Sequence, residues 1–480
     1  MWEVIIMKTY IGKIHLKWCK NCNVPLLGRV CEVCGSKAEE VKLTPPGDPR
    51  LGFQYDMDFI NKILEEEFGA KNVLNGKIIL LNKIPGNEEA YEIIVDGEVK
   101  YLIYFDEDKE KWKVKLKLNG AKDLMEKGAY KKIIKIKNDV VEFLKNRKGS
   151  VLRPGIVEFT DDIEEKDDVI IVDENDRVVG VGLAVVSSED IKNMEKGKVV
   201  KVRFFIKDNE DYKPGKIYDN LEEAFDLMVR ANEGVIDNYE RNAIGFIKNT
   251  YEKIKKPVMV AFSGGKDSLV TLILTLKALG KDIDVVFIDT GLEFEETLKN
   301  VEDVERHYGI KIIRLRGENF WEKVKEYGIP ARDYRWCSEI CKLEPLKKFI
   351  EENYEDDVLS FVGIRKYESF NRATKKRIHR NTYIKKQINA LPIFHWSSLH
   401  VWIYLLREKA PYNKLYEKGF DRIGCFMCPA MEMGEMNKIK REFPKLWEKW
   451  ENVLREYAEK HNLGEGWIKK GLWRWKHKRQ

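Results

Sequence analysis

Eight cysteines stand out in this sequence because they fall into two groups of four in distant parts of the chain. The first group consists of Cys19, Cys22, Cys31 and Cys34, arranged as two Cys-x2-Cys pairs. Thiolates with this spacing can converge tetrahedrally on one metal ion, and a short segment with few large apolar residues needs such an ion to fold. The spacing predicts a structural zinc site; iron in the same thiolate site, free thiols and disulfides are the alternatives.

The second group combines a Cys-x3-Cys pair with a Cys-x2-Cys pair and consists of Cys337, Cys341, Cys425 and Cys428. If 335–349 is helical, Cys337 and Cys341 lie one turn apart on the same face of the helix. The Cys425 pair offers a matching set of two thiolates. This group therefore predicts a second metal site, for which zinc is one candidate.

The segment 263–268, Ser-Gly-Gly-Lys-Asp-Ser, lies between a short apolar strand pattern and an apolar helix pattern. Two glycines let backbone N–H groups close around a phosphate, and the N-terminus of the following helix adds positive charge. Lys266 would supply a mobile cation, and Asp267 is a candidate Mg²⁺ ligand. A Walker A loop is excluded, because it requires glycine where Val260 stands and Ser or Thr where Asp267 stands.

The elements around these residues predict an α/β fold. Strand patterns at 258–262, 284–289, 310–315 and 358–364 alternate with helix patterns, which indicates a doubly wound parallel sheet within a domain at 209–480. Three smaller domains are predicted in front of it: a zinc ribbon at 1–48, a small α+β domain at 49–146 and an all-β block at 147–208. The Pro- and Gly-rich segment 44–50 forms the first linker.

Composition excludes several classes of protein. The 480 residues carry 86 Lys+Arg against 80 Asp+Glu and are 43% hydrophobic, so the chain is not predominantly disordered. No apolar run approaches the roughly 18 to 20 residues of a membrane-spanning helix, and the N-terminus lacks the features of a signal peptide. We therefore expect a soluble, cytoplasmic protein without a membrane partner, and the scarcity of Gln favours a thermophilic source.

The 263–268 segment resembles the SGGxDS loop of the PP-loop ATP pyrophosphatase superfamily, which cleaves ATP between its α- and β-phosphates. Asp289-Thr290-Gly291 and the 363–369 segment GIRKYES are similar to motifs of phosphoadenosine phosphosulfate reductases, and so is the 391–429 segment. The resemblance covers roughly 255–430 and implies nucleotide binding. It assigns this role to ten residues: Ser263, Gly264, Gly265, Lys266, Asp267, Ser268, Asp289, Thr290, Gly291 and Arg365.

The resemblance also bears on the second cysteine group. Sulfonucleotide reductases that carry a 4Fe-4S cluster place a cysteine pair and a Cys-x2-Cys motif at corresponding points, so a 4Fe-4S cluster joins zinc as a candidate occupant. Their first pair is adjacent, whereas here three residues separate Cys337 from Cys341, which leaves three-cysteine and four-cysteine ligation open. Those reductases also use a nucleophilic cysteine near the C-terminus, and no cysteine follows Cys428.

The block from about 148 to 208 resembles a PUA domain, a small β-barrel common in RNA-modifying proteins, through Arg153-Pro154-Gly155-Ile156 and the Gly180 and Gly182 region. A β-barrel without RNA contacts is the alternative. Two basic segments are candidate RNA contacts, 365–386 and the Trp-rich tail 467–479. A solvated face with packing tryptophans, or binding of a nucleotide phosphate by the first segment, would explain them equally.

Together these features predict an RNA-modifying enzyme. ATP and Mg²⁺ would bind at 263–268, a base of RNA, with tRNA as the expected substrate, would be adenylated, and sulfur from a donor protein would displace AMP. Lys266, Asp267, Cys337 and Cys341 are the predicted catalytic residues. The alternative function is that of a sulfonucleotide reductase or a related enzyme of sulfur metabolism, and a third is noncatalytic RNA binding.

Overall fold

The computed structural model describes residues 14–86, 88–146, 149–206 and 212–477. These residues form two compact units. The N-terminal unit comprises 15–86 and 90–231, and the α/β unit comprises 232–477 together with 14 and 88–89. None of the helices in the described ranges is long and apolar enough to span a membrane.

The N-terminal unit begins with a small antiparallel sheet in the order β2-β1-β3. Its strands are β1 (Lys17–Cys19), β2 (Val24–Leu26) and β3 (Glu39–Glu40). Trp18 is fully buried at its centre, and its indole N–H donates to Asn23 Oδ1 at 2.9 Å. The predicted ribbon is therefore a folded part of this unit.

The α+β part of the unit is a five-stranded antiparallel sheet covered by two helices. The elements are β4 (Arg50–Leu51), α1 (Gln54–Phe68), β5 (Ile79–Lys83), β6 (Ala90–Val95), β7 (Glu98–Asp106), β8 (Lys111–Leu116) and α2 (Leu118–Glu126), with the strands in sequential order. Helix α1 forms because Met57, Ile60 and Leu64 recur at helical spacing and are buried against the sheet. It ends at Gly69, whose φ of 80° provides the left-handed cap.

A buried ion cluster lies under this sheet. Lys100, which is fully buried, donates to Asp96 at 2.6 Å and to Asp123 at 2.7 Å. Lys77 lies 3.1 Å from Asp96, and the Tyr212 hydroxyl accepts from Lys100 at 2.7 Å and donates to Asp123. Burial alone would raise the pKa of Asp96, but the two lysines outweigh it and lower the pKa to about 2.

This cluster predicts acid sensitivity of the N-terminal unit. The pKa of Asp96 is about 2 in the folded protein against an ordinary 3.8, so its stabilising contribution is present above the higher value and is lost as pH falls through the lower one. We expect roughly 2 kcal/mol of the free energy of unfolding to depend on this ionisation. The urea concentration at the midpoint of unfolding should fall less between neutral pH and pH 2 in Asp96→Asn than in the wild type. Asp176→Asn, at an exposed carboxylate paired with Lys135, should leave that fall unchanged.

The remaining part of the unit is a six-stranded sheet in the order β10-β14-β13-β12-β9-β11. Its elements are β9 (Ile133–Ile136), α3 (Asn138–Asn146), β10 (Ser150–Leu152), β11 (Ile156–Phe159), β12 (Asp168–Val172), β13 (Val178–Ala184), α4 (Ser188–Asn193) and β14 (Lys198–Phe205). All neighbouring pairs are antiparallel except β9 and β12. The β-rich character predicted for this block is thus present.

The structure places the start of this sheet earlier than the predicted residue 147. Strand β9 pairs with β11 and with β12, although helix α3 separates it from them in the sequence. The two parts also share a hydrophobic core, in which Ile170 and Val172 join Tyr101 and Ile103 of the α+β sheet. A boundary at 147 would cut through this core, so the α+β and all-β parts form one unit.

The α/β unit is built on a six-stranded sheet in the order β17-β16-β15-β18-β20-β19, in which only β19 is antiparallel. The strands are β15 (Val258–Ala261), β16 (Asp284–Asp289), β17 (Ile312–Arg316), β18 (Val358–Val362), β19 (Ile378–Arg380) and β20 (Gln387–Ala390). The chain adds β16 and β17 on one side of β15 and returns to add β18 on the other. The predicted doubly wound sheet is confirmed, and its switch point lies beside β15.

Helices cover this sheet and continue to the end of the described chain. They are α6 (Glu233–Ile254), α7 (Lys266–Leu279), α8 (Glu295–Tyr308), α9 (Phe320–Tyr327), α10 (Trp336–Ser338), α11 (Glu344–Asn353), α12 (Phe370–Ala373), α13 (Ser398–Arg407), α14 (Met433–Glu442), α15 (Pro444–Lys460) and α16 (Glu465–Lys469). Helix α5 (Leu221–Arg230) belongs to the N-terminal unit. The boundary between the two units falls at 231–232, between α5 and α6, and so lies later than the predicted 209.

The Trp-rich tail packs into the α/β unit. Trp473 is 2% exposed and lies edge-on to the buried Trp450, with ring centroids 5.4 Å apart. Arg474 is 4% exposed and donates to the carbonyls of Gly471 and Met431. Of the two explanations for the tail, packing applies to Trp473, because a buried indole cannot stack on an RNA base.

Candidate active site

The glycine-rich loop connects β15 to α7 at the centre of the parallel sheet. Gly264 has a φ of 72°, which a residue with a side chain rarely adopts, and Gly265 caps the helix that begins at Lys266. Ser268 closes the loop: its hydroxyl donates to the Gly265 carbonyl at 2.8 Å and accepts the Ser263 N–H at 3.1 Å. The predicted strand, loop and helix thus form the geometry of an anion site.

Three charged side chains meet at the start of α7. The Asp267 carboxylate accepts from Arg365 Nε at 2.6 Å and from Lys266 Nζ at 3.1 Å. Burial would raise the pKa of Asp267, but Arg365 and Lys266 hold it well below its usual range. The predicted Mg²⁺ ligand is thus engaged by two cations, and a metal ion at Asp267 would have to displace one of them.

Residues after the second strand complete this edge of the sheet. The Asp289 carboxylate accepts the Gly291 N–H at 2.8 Å and lies 3.4 Å from Arg316. Thr290 donates through its hydroxyl to Glu293 at 2.8 Å and lies 3.7 Å from the sulfur of Cys425. Thr290 directly follows β16. The fold therefore brings the end of this strand, where nucleotide-binding residues are predicted, next to Cys425 of the second cysteine group.

The second cysteine group gathers around a distorted helix. Between α10 and α11 lies a π-helical turn, Glu339–Leu343, which contains Cys341; such turns are frequent at functional sites. Burial raises the pKa of Cys341 to about 11, and the thiols of Cys337 and Cys425 contribute in the same direction. Cys425 and Cys428 likewise act on the pKa of Cys337. All four thiols are therefore close enough to interact electrostatically.

The two cysteine groups differ in how tightly they are gathered. Among the residues that the structure describes, only the first group brings three or more potential ligand atoms all within 4.8 Å of one another. Its Cys19–Cys34 and Cys22–Cys31 sulfur distances are 3.4 Å and 3.8 Å, close to the roughly 3.8 Å that tetrahedral Zn–S bonds require. The first group fits a single zinc ion, whereas no three sulfur atoms of the second group lie within 4.8 Å of one another in the described residues.

A cavity of about 140 Å³ lies between the loop and the second cysteine group. Ser263 and the ends of β15 and β16 form one wall, and Lys342 and Gly424, which directly neighbour cysteines, form another. The thiolate of Cys425 and the carboxylate of Glu293 raise the pKa of Lys342 despite its burial. A small planar or phosphorylated group in this cavity would contact both Ser263 of the loop and the cysteine neighbours Lys342 and Gly424.

Several residues of this site were not predicted. They are Glu293, Thr297, Lys342, Asn413 and Tyr416. The Tyr416 hydroxyl accepts the Lys266 N–H at 2.9 Å, and the Asn413 amide donates to Thr297 at 2.9 Å. Lys342 follows Cys341 directly, and Asn413 and Tyr416 lie in the 391–429 segment that resembles the reductases, so these three had a sequence signal. Glu293 and Thr297 join them only through the fold.

Comparisons with known proteins agree with this architecture. The sequence pattern of the phosphoadenosine phosphosulfate reductase domain matches residues 257–431, and that of the PUA domain matches 132–206. Adenosine 5'-phosphosulfate reductase 2 of Bacillus subtilis is 32% identical over 189 residues, which are 38% of this chain and 76% of that protein. This chain belongs to the phosphoadenosine phosphosulfate reductase-like family. It carries a PUA domain in addition.

Protein MJ0973 of Methanocaldococcus jannaschii matches this reductase-like protein over nearly its whole length. The two are 32% identical over 437 residues, which are 89% of this chain and 95% of that one. The solved phosphoadenylyl-sulfate reductase of Candida auris, in a phosphate complex, is 21% identical and covers 40% of this chain and 93% of its own, with a TM-score of 0.32. The alignment with MJ0973, at 89% of this chain, is longer than the match to either domain pattern alone.

Gly363 gives a direct test of the loop in this reductase-like protein. A Cβ atom at Gly363 would lie 2.5 Å from the Asp267 carbonyl oxygen and 2.7 Å from the Ser268 nitrogen, both backbone atoms at the start of α7. Gly363→Ala must therefore displace the loop, and we expect at least a tenfold loss of nucleotide affinity, about 1.4 kcal/mol. Calorimetric titration with ATP measures it. Gly245→Ala, in α6 with open space around the new methyl group, should bind as the wild type does.

Proposed function

We propose that this protein modifies RNA, with tRNA as its substrate, by ATP-dependent adenylation of a base followed by sulfur transfer. The observation that carries the proposal is the cavity shared by the phosphate loop and the cysteine-flanking residues Lys342 and Gly424. The PUA domain in the same chain supports RNA as the partner, because domains of this family are common in RNA-modifying proteins.

The first step joins the base to AMP. A carbonyl oxygen of the base attacks the α-phosphorus of ATP, the bond between the α- and β-phosphates breaks, and pyrophosphate leaves with its electron pair. Backbone N–H groups of 263–268 and the Lys266 ammonium would stabilise the charge that develops on pyrophosphate. Mg²⁺ would enter with ATP as part of the substrate.

The second step replaces oxygen by sulfur. A sulfide nucleophile, delivered by a donor protein, attacks the activated carbon and forms the new C–S bond, and AMP leaves with the original oxygen. A 4Fe-4S cluster held by three of the four residues Cys337, Cys341, Cys425 and Cys428 would leave one iron open and supply a binding site for that sulfur. Thr290 is a predicted nucleotide-binding residue, and its hydroxyl lies 3.7 Å from the Cys425 sulfur. The nucleotide and the sulfur source would therefore lie in the same site.

The second candidate function is sulfonucleotide reduction. The match to B. subtilis adenosine 5'-phosphosulfate reductase 2 favours it. That chemistry, as known for the family, needs a cysteine nucleophile near the C-terminus, and this sequence has none after Cys428. We therefore place it second.

The two proposals predict different products. Full-length protein purified anaerobically should release pyrophosphate from ATP only when tRNA is present, and AMP only when a sulfide source is added as well. Mass spectrometry of tRNA nucleosides from a deletion strain should reveal a missing thiolated base. Release of sulfite from adenosine 5'-phosphosulfate or its 3'-phosphorylated form, with a thiol reductant, would instead establish the reductase. Failure of both reactions with well-folded, metal-loaded protein would leave neither proposal standing.

A further inference from the structure

Two arginines, the buried Arg474 and the half-buried Arg332, converge on the backbone directly after the Cys425–Cys428 turn. Arg332 donates through Nε to the Pro429 carbonyl at 3.0 Å and through Nη2 to the Met431 carbonyl at 2.7 Å. Arg474, from the C-terminal tail, donates to the same Met431 carbonyl at 2.9 Å. The two arginines are also tied together, because the Arg332 N–H donates to the Arg474 carbonyl at 2.7 Å.

The charges of Glu88 and Glu432 both oppose the repulsion between these arginines, and Glu88 also pairs directly with Arg474. Glu88, which is counted with the α/β unit, accepts from Arg474 at 2.7 Å and 3.3 Å through its two oxygens. The side chains of Arg474 and Glu88 are 5% and 6% exposed, so this is a desolvated pair. Glu88 also accepts the Met433 N–H at 2.6 Å at the start of α14. Burial of this kind costs free energy that only a complete set of partners offsets.

The turn that these groups hold carries two of the four cysteines. The Cys428 N–H donates to the Cys425 carbonyl at 3.2 Å, and the Met431 N–H donates to the Cys428 carbonyl at 3.1 Å. Residues 425–431 are thus two successive turns whose far end is fixed by the arginines. At the near end the Phe426 N–H donates to the Leu292 carbonyl at 3.0 Å, beside the cavity. Movement of Met431 would therefore be passed to the two sulfur atoms through short backbone links.

We propose that Arg332, Arg474 and Glu88 are positioning residues that hold Cys425 and Cys428 toward Cys337 and Cys341. This inference rests on the proposed role of the second cysteine group as one site. It assigns the C-terminal tail a role in that site: the tail contributes Arg474 to a rigid support behind the turn and no group to the chemistry itself. Arg474 is buried next to the packed Trp473, where its planar guanidinium can donate several hydrogen bonds at once.

The test compares the reactivity of individual cysteines in full-length protein purified anaerobically. Site-resolved alkylation by iodoacetamide, followed by mass spectrometry, gives a rate for each cysteine, and iron and zinc contents are measured in parallel. The variants are Arg474→Ala, Arg474→Lys and Glu88→Gln. The control for Glu88→Gln is Glu451→Gln, which makes the same chemical change in a more exposed ion pair with Arg455 on α15.

We expect Arg474→Ala to raise the alkylation rates of Cys425 and Cys428 at least about tenfold, because charge-assisted hydrogen bonds to buried groups are lost. In Arg474→Ala, the alkylation rates of Cys19 and Cys22 should stay at wild-type values. In the control Glu451→Gln, the rates of all cysteines should stay at wild-type values. Arg474→Lys should give rates for Cys425 and Cys428 between those of the wild type and those of Arg474→Ala. Unchanged rates at Cys425 and Cys428 in folded Arg474→Ala would overturn the proposal. If that variant unfolds, Glu88→Gln, which keeps the side-chain volume, decides by the same comparison.

Metal analysis separates this inference from the proposed function. Wild-type protein without metal at the second cysteine group, or without the two proposed reactions, would count against the proposed chemistry. The alkylation difference between Arg474→Ala and Glu451→Gln would still report on positioning, because it is measured on the thiols themselves. A loss of iron in Arg474→Ala and Glu88→Gln, with zinc retained at the first group, is the additional result expected if both hold.

Discussion

Lys266→Met should reduce pyrophosphate release from ATP by about a hundred- to a thousandfold, which is the cost of removing one preorganised group that stabilises transition-state charge. Lys266 is 6% exposed, and its ammonium lies 3.1 Å from Asp267 at the first turn of α7. Asp267 would keep its bond to Arg365 in the variant, so the loop should remain folded. Because Lys266 acts mainly on the leaving group, kcat should fall more than ATP affinity.

Lys277→Met is the matched control, because Lys277 lies on the same helix but near its C-terminal end, paired with Glu240 and Glu408 on the surface. It removes the same charge from α7 without touching the loop. Rapid-quench measurement of pyrophosphate and calorimetric measurement of ATP binding give the two quantities separately. Wild-type turnover in Lys266→Met would exclude the proposed role of this loop in cleaving ATP.

Removal of metal from the first cysteine group should unfold the ribbon and expose its core. Structural zinc sites contribute on the order of 10 kcal/mol of apparent folding free energy at neutral pH. Cys19 and Cys31 are fully buried, as is Trp18 between them and the α+β sheet, where a Cβ atom at Gly97 would touch the indole. Loss of zinc would therefore leave a large apolar side chain without its cover and would disturb the neighbouring sheet.

The ribbon is also bonded to the buried ion cluster, which extends the expected damage. The Asn23 amide donates to Asp96 at 2.8 Å, and Lys20 donates to the Asp96 carbonyl at 2.6 Å. Cys22→Ser should therefore lower the melting temperature of the N-terminal unit and increase hydrogen exchange in β6 and β7. Differential scanning calorimetry and exchange mass spectrometry provide the measurements.

Cys428→Ser provides the control for that experiment, since it makes the same chemical change in the second cysteine group, within the α/β unit. It should leave the zinc content of the first group and the exchange of β6 and β7 unchanged. If Cys22→Ser behaves like Cys428→Ser in the N-terminal unit, the first group has no structural metal and its thiols are held by packing alone.

The sequence by itself determined the features whose signals are local. The phosphate loop could be predicted because its glycines, Lys266 and Asp267 lie within one strand-to-helix connection, where backbone geometry restricts the choice of residues. The ribbon could be predicted because Cys19 and Cys22, and likewise Cys31 and Cys34, form turns of fixed spacing. Alternation of apolar strands with helices was sufficient for the doubly wound sheet.

Only the tertiary structure decided which distant residues meet. Strand β9 joins its sheet across a helix, and the N-terminal unit shares one core across the predicted boundary at 147. The sequence does not indicate that Glu88, Arg332 and Arg474 meet, because each one looks like an ordinary surface charge until folding brings it beside its partners. Periodicity reports on which face of an element is buried, whereas the pairing of charges across hundreds of residues depends on the order of strands and the path of the chain.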